Sequence, residues 1–130
     1  MPAPIASYGN NASIGGAVNA QLAPEYEIVH GATDLAAALS ELPALVGGDT
    51  SVTPSSGLGT NATAATKQVP KAVIVGGGVP ASEVDQLKAA ISGVPIIQVS
   101  KEDVAAAGGT GPDPVLITKL IKEKLVAAGI

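Results

Sequence analysis

The chain has no cysteine, no phenylalanine, no tryptophan and no arginine, and its only histidine is His30. Without cysteine there is no disulfide framework, no thiolate nucleophile and no thiolate metal site. One histidine leaves a dedicated transition-metal centre short of its usual ligands. Without arginine there is no bidentate clamp for a phosphate. The seven basic residues are all lysines, set against eleven acids for a net charge of −4. An acidic chain this poor in aromatic residues is not built for nucleic acid. Lys119, Lys122 and Lys124 cluster late in a predicted helix, where cations suit the dipole, and read as a solvated face. No stretch approaches the ~18 apolar residues of a membrane span. Met1-Pro2-Ala3-Pro4 lacks the basic segment and apolar run of a secretion signal, so a cytoplasmic protein without membrane contact is the expectation. Two sequons, Asn11-Ala12-Ser13 and Asn61-Ala62-Thr63, then read as chance matches. There is no Gly-Lys-Ser/Thr phosphate loop and no Gly-x-Ser-x-Gly elbow.

What remains is aliphatic. Of 130 residues, 46% are hydrophobic, and only Tyr8 and Tyr26 are aromatic. That length fits one domain spanning residues 1–130. Its core must be packed by Ala, Val, Ile and Leu, as suits a parallel sheet covered by Ala-rich helices.

Taken in order, Ile5 to Tyr8 is an apolar strand, and a helix from about Ser13 to Ala23 follows with Ile14, Val18 and Leu22 on one stripe. Tyr26 to His30 is the second strand. Thr33 or Asp34 caps a helix carrying Leu35, Leu39 and Leu42, which Pro43 ends or kinks. Gly47 to Pro70 has no periodicity and is expected to be a flexible, low-complexity excursion, a lid, or a crossing of the sheet edge. Lys71 to Val75 is the clearest strand. A helix from Ser82 to Ile91, a strand from Val94 to Val99, a short helix opened by Ser100 and a last helix opened by Asp113-Pro114 complete the chain. Strands alternating with helices predict an α/β sandwich with a four-stranded parallel sheet. The strand order 2-1-3-4 fits best, with 3-2-1-4 as the alternative, in a small Rossmann-like or flavodoxin-like architecture.

In such sheets ligands bind outside the carboxyl ends of the strands, where the strand order reverses. Glycine is concentrated at those ends: Gly9 with Gly15 and Gly16, Gly76-Gly77-Gly78, and Gly108-Gly109. The first segment, Ile5-Ala6-Ser7-Tyr8-Gly9-Asn10-Asn11-Ala12-Ser13-Ile14-Gly15-Gly16, has the build of a strand–loop–helix anion site, in which free helix N–H groups and the helix dipole attract negative charge. Gly9-x-x-x-Ser13-Ile14-Gly15 resembles the Gly-x-x-x-Gly-Ile-Gly loop of short-chain dehydrogenases, with Ser13 in place of the middle glycine. The resemblance covers residues 5–35. It implies a nucleotide-like ligand, NAD(P) among the possible cofactors, held by Gly9, Asn10, Asn11, Ser13, Ile14 and Gly15; Gly76 and Gly77 join them as glycines of a neighbouring strand end. It does not extend to that family's Tyr-x-x-x-Lys pair, since neither tyrosine has a lysine four residues on. From Val73 to Pro80 the chain also resembles cobalamin-binding and receiver-type flavodoxin-like domains, without the cobalt-ligating histidine or the phosphoacceptor aspartate.

His30, predicted at the end of the second strand, is the candidate acid or base, with Asp34 as its orienting carboxylate. A surface histidine without a role is the alternative. Three functional readings follow. The chain binds a small anionic or nucleotide-like ligand at the Gly9–Gly15 loop. Alternatively it is a non-catalytic scaffold that self-associates, since an aliphatic sheet with two edges has reason to form a homodimer. The third reading is a cofactor-free enzyme that uses His30 beneath the long loop.

Overall fold

A computed structural model describes residues 3–9, 20–22, 25–49, 51–54, 59–63, 68–76, 79–99, 101–109 and 114–130. Four strands, β1 (Ala3–Tyr8), β2 (Tyr26–Ala32), β3 (Val73–Val75) and β4 (Ile96–Gln98), form one parallel sheet in the order β2-β1-β3-β4. The helices with described bounds are α1 (Leu35–Val46), α2 (Ala81–Ala90), α3 (Lys101–Ala106) and α4 (Pro114–Ala127), and Ala20 to Leu22 are also helical. The chain is thus the predicted α/β sandwich, and of the two strand orders considered, 2-1-3-4 is the one formed.

Both faces of the sheet are covered because its side chains alternate. Ile5, Ile28, Ile74 and Ile97 point to one side, where they bury Leu22, Val104 of α3 and Ile121 and Leu125 of α4. Ala6, Tyr8, Val73 and Val75 point to the other, against Ala38 and Leu42 of α1 and Val84 and Leu87 of α2. The clusters are aliphatic, as the composition requires. Tyr26 is the aromatic member of the first, and its hydroxyl donates to the carbonyl of Ile130 (3.3 Å), fastening the end of the chain to the start of β2.

Several boundaries move from the sequence reading. β2 continues two residues past His30, because Gly31 and Ala32 pair with Ser7 and Tyr8. α1 does not stop at Pro43 but runs one turn further, with Leu42 and Leu45 both fully buried. A proline costs a helix its i→i−4 bond, and here that loss is offset by anchoring the last turn in the core. β3 and β4 are three-residue strands, shorter than predicted.

The register holds one irregularity. Ile5 lies opposite Ile28, but Ala6 lies opposite His30, so Val29 is an extra residue. A one-residue slip moves every later side chain to the other face. The bulge at Val29 therefore turns His30 onto the α1 side of the sheet. The long segment between α1 and β3 returns to this point. Thr60–Ala62 form a 3₁₀ turn against β2. Gly59, with φ of +97°, lies so close that a Cβ there would stand 2.5 Å from the Val29 carbonyl oxygen and 2.7 Å from the His30 nitrogen. Asn61 is buried, and its amide exchanges two 2.9 Å bonds with the backbone of Gln68. The second sequon is thus committed within the fold.

Candidate functional site

The order β2-β1-β3-β4 places the reversal between β1 and β3, and the carboxyl ends of those strands carry Gly9 and Gly76. The two glycines face each other: a Cβ on either would stand 3.6 Å from the other's Cα. Their amides are already engaged. Gly9 donates to the Ala32 carbonyl (3.1 Å) and Gly76 to the Tyr8 carbonyl (2.8 Å), continuing the sheet. These residues therefore provide a floor free of side chains and no donors of their own. Gly76 is exposed and Gly9 half-buried, so the floor is reachable from solvent. Gln98, at the end of β4, donates to the carbonyls of Gly76 (3.0 Å) and Val79 (3.1 Å).

Two carboxylates act on Tyr8, the last residue of β1 before this floor. Glu83, in the first turn of α2, accepts a 2.5 Å bond from the Tyr8 hydroxyl. Burial, together with the bond to Glu83 and the negative charges of Glu83 and Asp34, pushes the Tyr8 phenol up to about 12. Tyr8 is consequently a fixed donor, the opposite of a tyrosine prepared to lose its proton. Asp34 caps α1. Its extended backbone lets one carboxylate oxygen accept from the Ala37 amide (2.7 Å), and Ala38 donates to its carbonyl.

His30 is elsewhere, inside the layer between β2 and α1, and its side chain is 0% exposed. Nε2 is 2.8 Å from Oε1 of Glu41 on α1, and Nδ1 has no hydrogen-bond partner among the described residues. The pairing of His30 with Asp34 is thereby corrected: Glu41 orients the imidazole, while Asp34 serves as a helix cap. The imidazole is enclosed in this conformation.

Of the residues proposed for the ligand, the structure places Gly9 and Gly76 together at the crevice. Asn10, Asn11, Ser13, Ile14, Gly15 and Gly77 lie outside the described residues. Glu41, Glu83 and Gln98 were missed by the sequence reading. Glu41 had a legible signal: it follows Ala37 by four residues, so it lies along the buried side of α1 and required a polar partner inside. Glu83 reads in sequence only as an acid suited to a helix start.

On the far side of the sheet, Gln21 and the outer face of α4 line an open groove with Val115, Thr118, Lys119, Lys122, Glu123 and Val126. Lys122 is paired there with Glu25 (2.6 Å), whose carboxyl is held below the usual range by that bond. Among the described residues no three His, Asp or Glu side chains converge on a metal position, and no helix is long and apolar enough to cross a membrane.

No protein-family pattern matches the chain, and no solved structure does. Kojic acid related protein 6 of Aspergillus oryzae (strain ATCC 42149 / RIB 40) is 33% identical to it over 90 residues, which make up 69% of this chain and 51% of that protein. The chain spans about half the length of the curated relative it matches.

Proposed function

We propose that this chain is a small Rossmann-like protein that binds a small anionic or nucleotide-like ligand above the carboxyl ends of β1 and β3. The observation that carries the reading is the pair of facing glycines, Gly9 and Gly76, at the point where the strand order reverses. A bare backbone floor there admits a ligand to the strand ends, and the helix start expected from the sequence after Gly9 is where free N–H groups attract an anion. The resemblance of Gly9-x-x-x-Ser13-Ile14-Gly15 to the short-chain dehydrogenase loop supports a nucleotide, NAD(P) included. Because the amides of Gly9 and Gly76 are spent on the sheet, the donors in this reading come from Asn10 to Gly15 and from Gly77. The carboxylates of Asp34 and Glu83 favour ligand hydroxyl groups on their side of the crevice. No catalytic step is assigned.

The test is a thermal-shift panel of NAD, NADP, ATP, flavin nucleotides, coenzyme A and inorganic phosphate, with kojic acid added on account of the relative's name. A ligand at about 100 times its dissociation constant adds about 2.7 kcal/mol of stability. The expected result is a shift with one of these compounds that Gly9→Val removes while the ligand-free protein stays folded. No shift with any of them overturns the reading.

Self-association is the second reading, and α4 favours it: Val115 and Val126 are 65% and 68% exposed on its outer face. A melting temperature that rises with protein concentration, with no ligand effect, is the outcome that selects it.

A further inference from the structure

His30 has one imidazole nitrogen accounted for and one that is not. Nε2 meets the carboxylate of Glu41 at 2.8 Å. An ionised carboxylate only accepts hydrogen bonds, so Nε2 carries the proton, and in the neutral ring Nδ1 is then an acceptor. Nδ1 is completely enclosed, and among the described residues no group donates to it. The neighbouring side chains on this face of the sheet, Ala6, Ala38 and Leu42 among them, have nothing to donate. A buried acceptor without a donor is strongly disfavoured, and interior polar atoms in this position are ordinarily satisfied by a trapped water.

We propose that Nδ1 of His30 binds a single internal water molecule, enclosed between β2 and α1. The bulge supports this placement. It directs His30 to the α1 side, beneath Glu41. Gly59 holds the backbone of this stretch in place, set against Val29 and His30 at a distance only glycine permits. A metal ion does not fit the same place, because among the described residues no third ligand converges on His30 and Glu41. The proposal is independent of the ligand crevice at Gly9 and Gly76.

The test uses the full chain labelled with ¹⁵N. Long-range proton–nitrogen spectra of the imidazole are expected to show a protonated Nε2 and an Nδ1 that accepts a hydrogen bond. Water relaxation dispersion is expected to show one long-lived water that is lost in His30→Gln, whose amide nitrogen preserves the bond to Glu41 but leaves nothing at the Nδ1 position. The proposal is overturned if wild type holds no long-lived water, if His30→Gln retains the same number, or if Nδ1 is bonded to another group of the chain. Should His30→Gln not fold, a high-resolution crystal structure of the wild type decides by the presence or absence of water density within hydrogen-bond distance of Nδ1.

Discussion

The Tyr8 hydroxyl shows how a single residue records its surroundings. It is held between burial and the charge of Glu83, and both make its anion unfavourable. A free tyrosine ionises near 10, whereas Tyr8 in the folded chain does so at about 12. Below about 10, both folded and unfolded chains keep the proton and the contribution of Tyr8 is intact. Between the two values unfolding releases a proton, so stability falls as pH rises through that window. Tyr8→Phe is expected to lose about 1 kcal/mol at neutral pH, the net worth of one hydrogen bond, and to lack this part of the alkaline decline. Urea denaturation of both proteins at a series of pH values checks it. Parallel decline in the two proteins would show that Tyr8 is not shielded.

At the scale of elements, the turn at Thr60–Ala62 is fastened to β2 through Gly59. Gly48 and Gly59 have similar positive φ values, +103° and +97°, but nothing lies within 4 Å of a Cβ at Gly48, while the Val29 carbonyl lies 2.5 Å from one at Gly59. Gly48→Ala therefore carries only conformational strain, about 1 kcal/mol. Gly59→Ala adds a backbone overlap and is expected to cost roughly 3 kcal/mol or more. Equal losses in urea denaturation would mean that the turn is not held against β2. The elements also show where a sequence is readable. The alternation of strands and helices, the cap at Asp34 and the parallel sheet follow from periodicity and local chemistry, which act over a few residues. The bulge at Val29 does not, because it exists only in the register between Ile5-Ala6 and Ile28-His30. The partner of His30 depended on that bulge. Read without it, the nearby Asp34 was the natural choice; with it, the imidazole turns under α1 to Glu41. For the same reason Gly9 was legible as a strand-end glycine, while its apposition to Gly76 required the strand order.

At the scale of the whole molecule, the two aliphatic layers lie on opposite faces of the sheet. Leu42 of α1 is fully buried in one layer and Leu125 of α4 in the other. Each truncation to alanine removes buried methyl groups and leaves a cavity, a loss of about 2–5 kcal/mol from a domain whose total stability is expected to be about 5–15 kcal/mol. Because the leucines lie on opposite faces with no common neighbours in their clusters, the losses should add to within about 0.5 kcal/mol. The sheet decides whether the layers also unfold together. β3 contributes Ile74 to one face and Val73 and Val75 to the other, so losing either helical layer exposes the strand that supports its counterpart. A single transition of unchanged denaturant slope is therefore expected for both single variants. A biphasic curve for Leu125→Ala would show instead that α4 leaves the sheet first, with the crevice above β1 and β3 still standing on the α1 and α2 side.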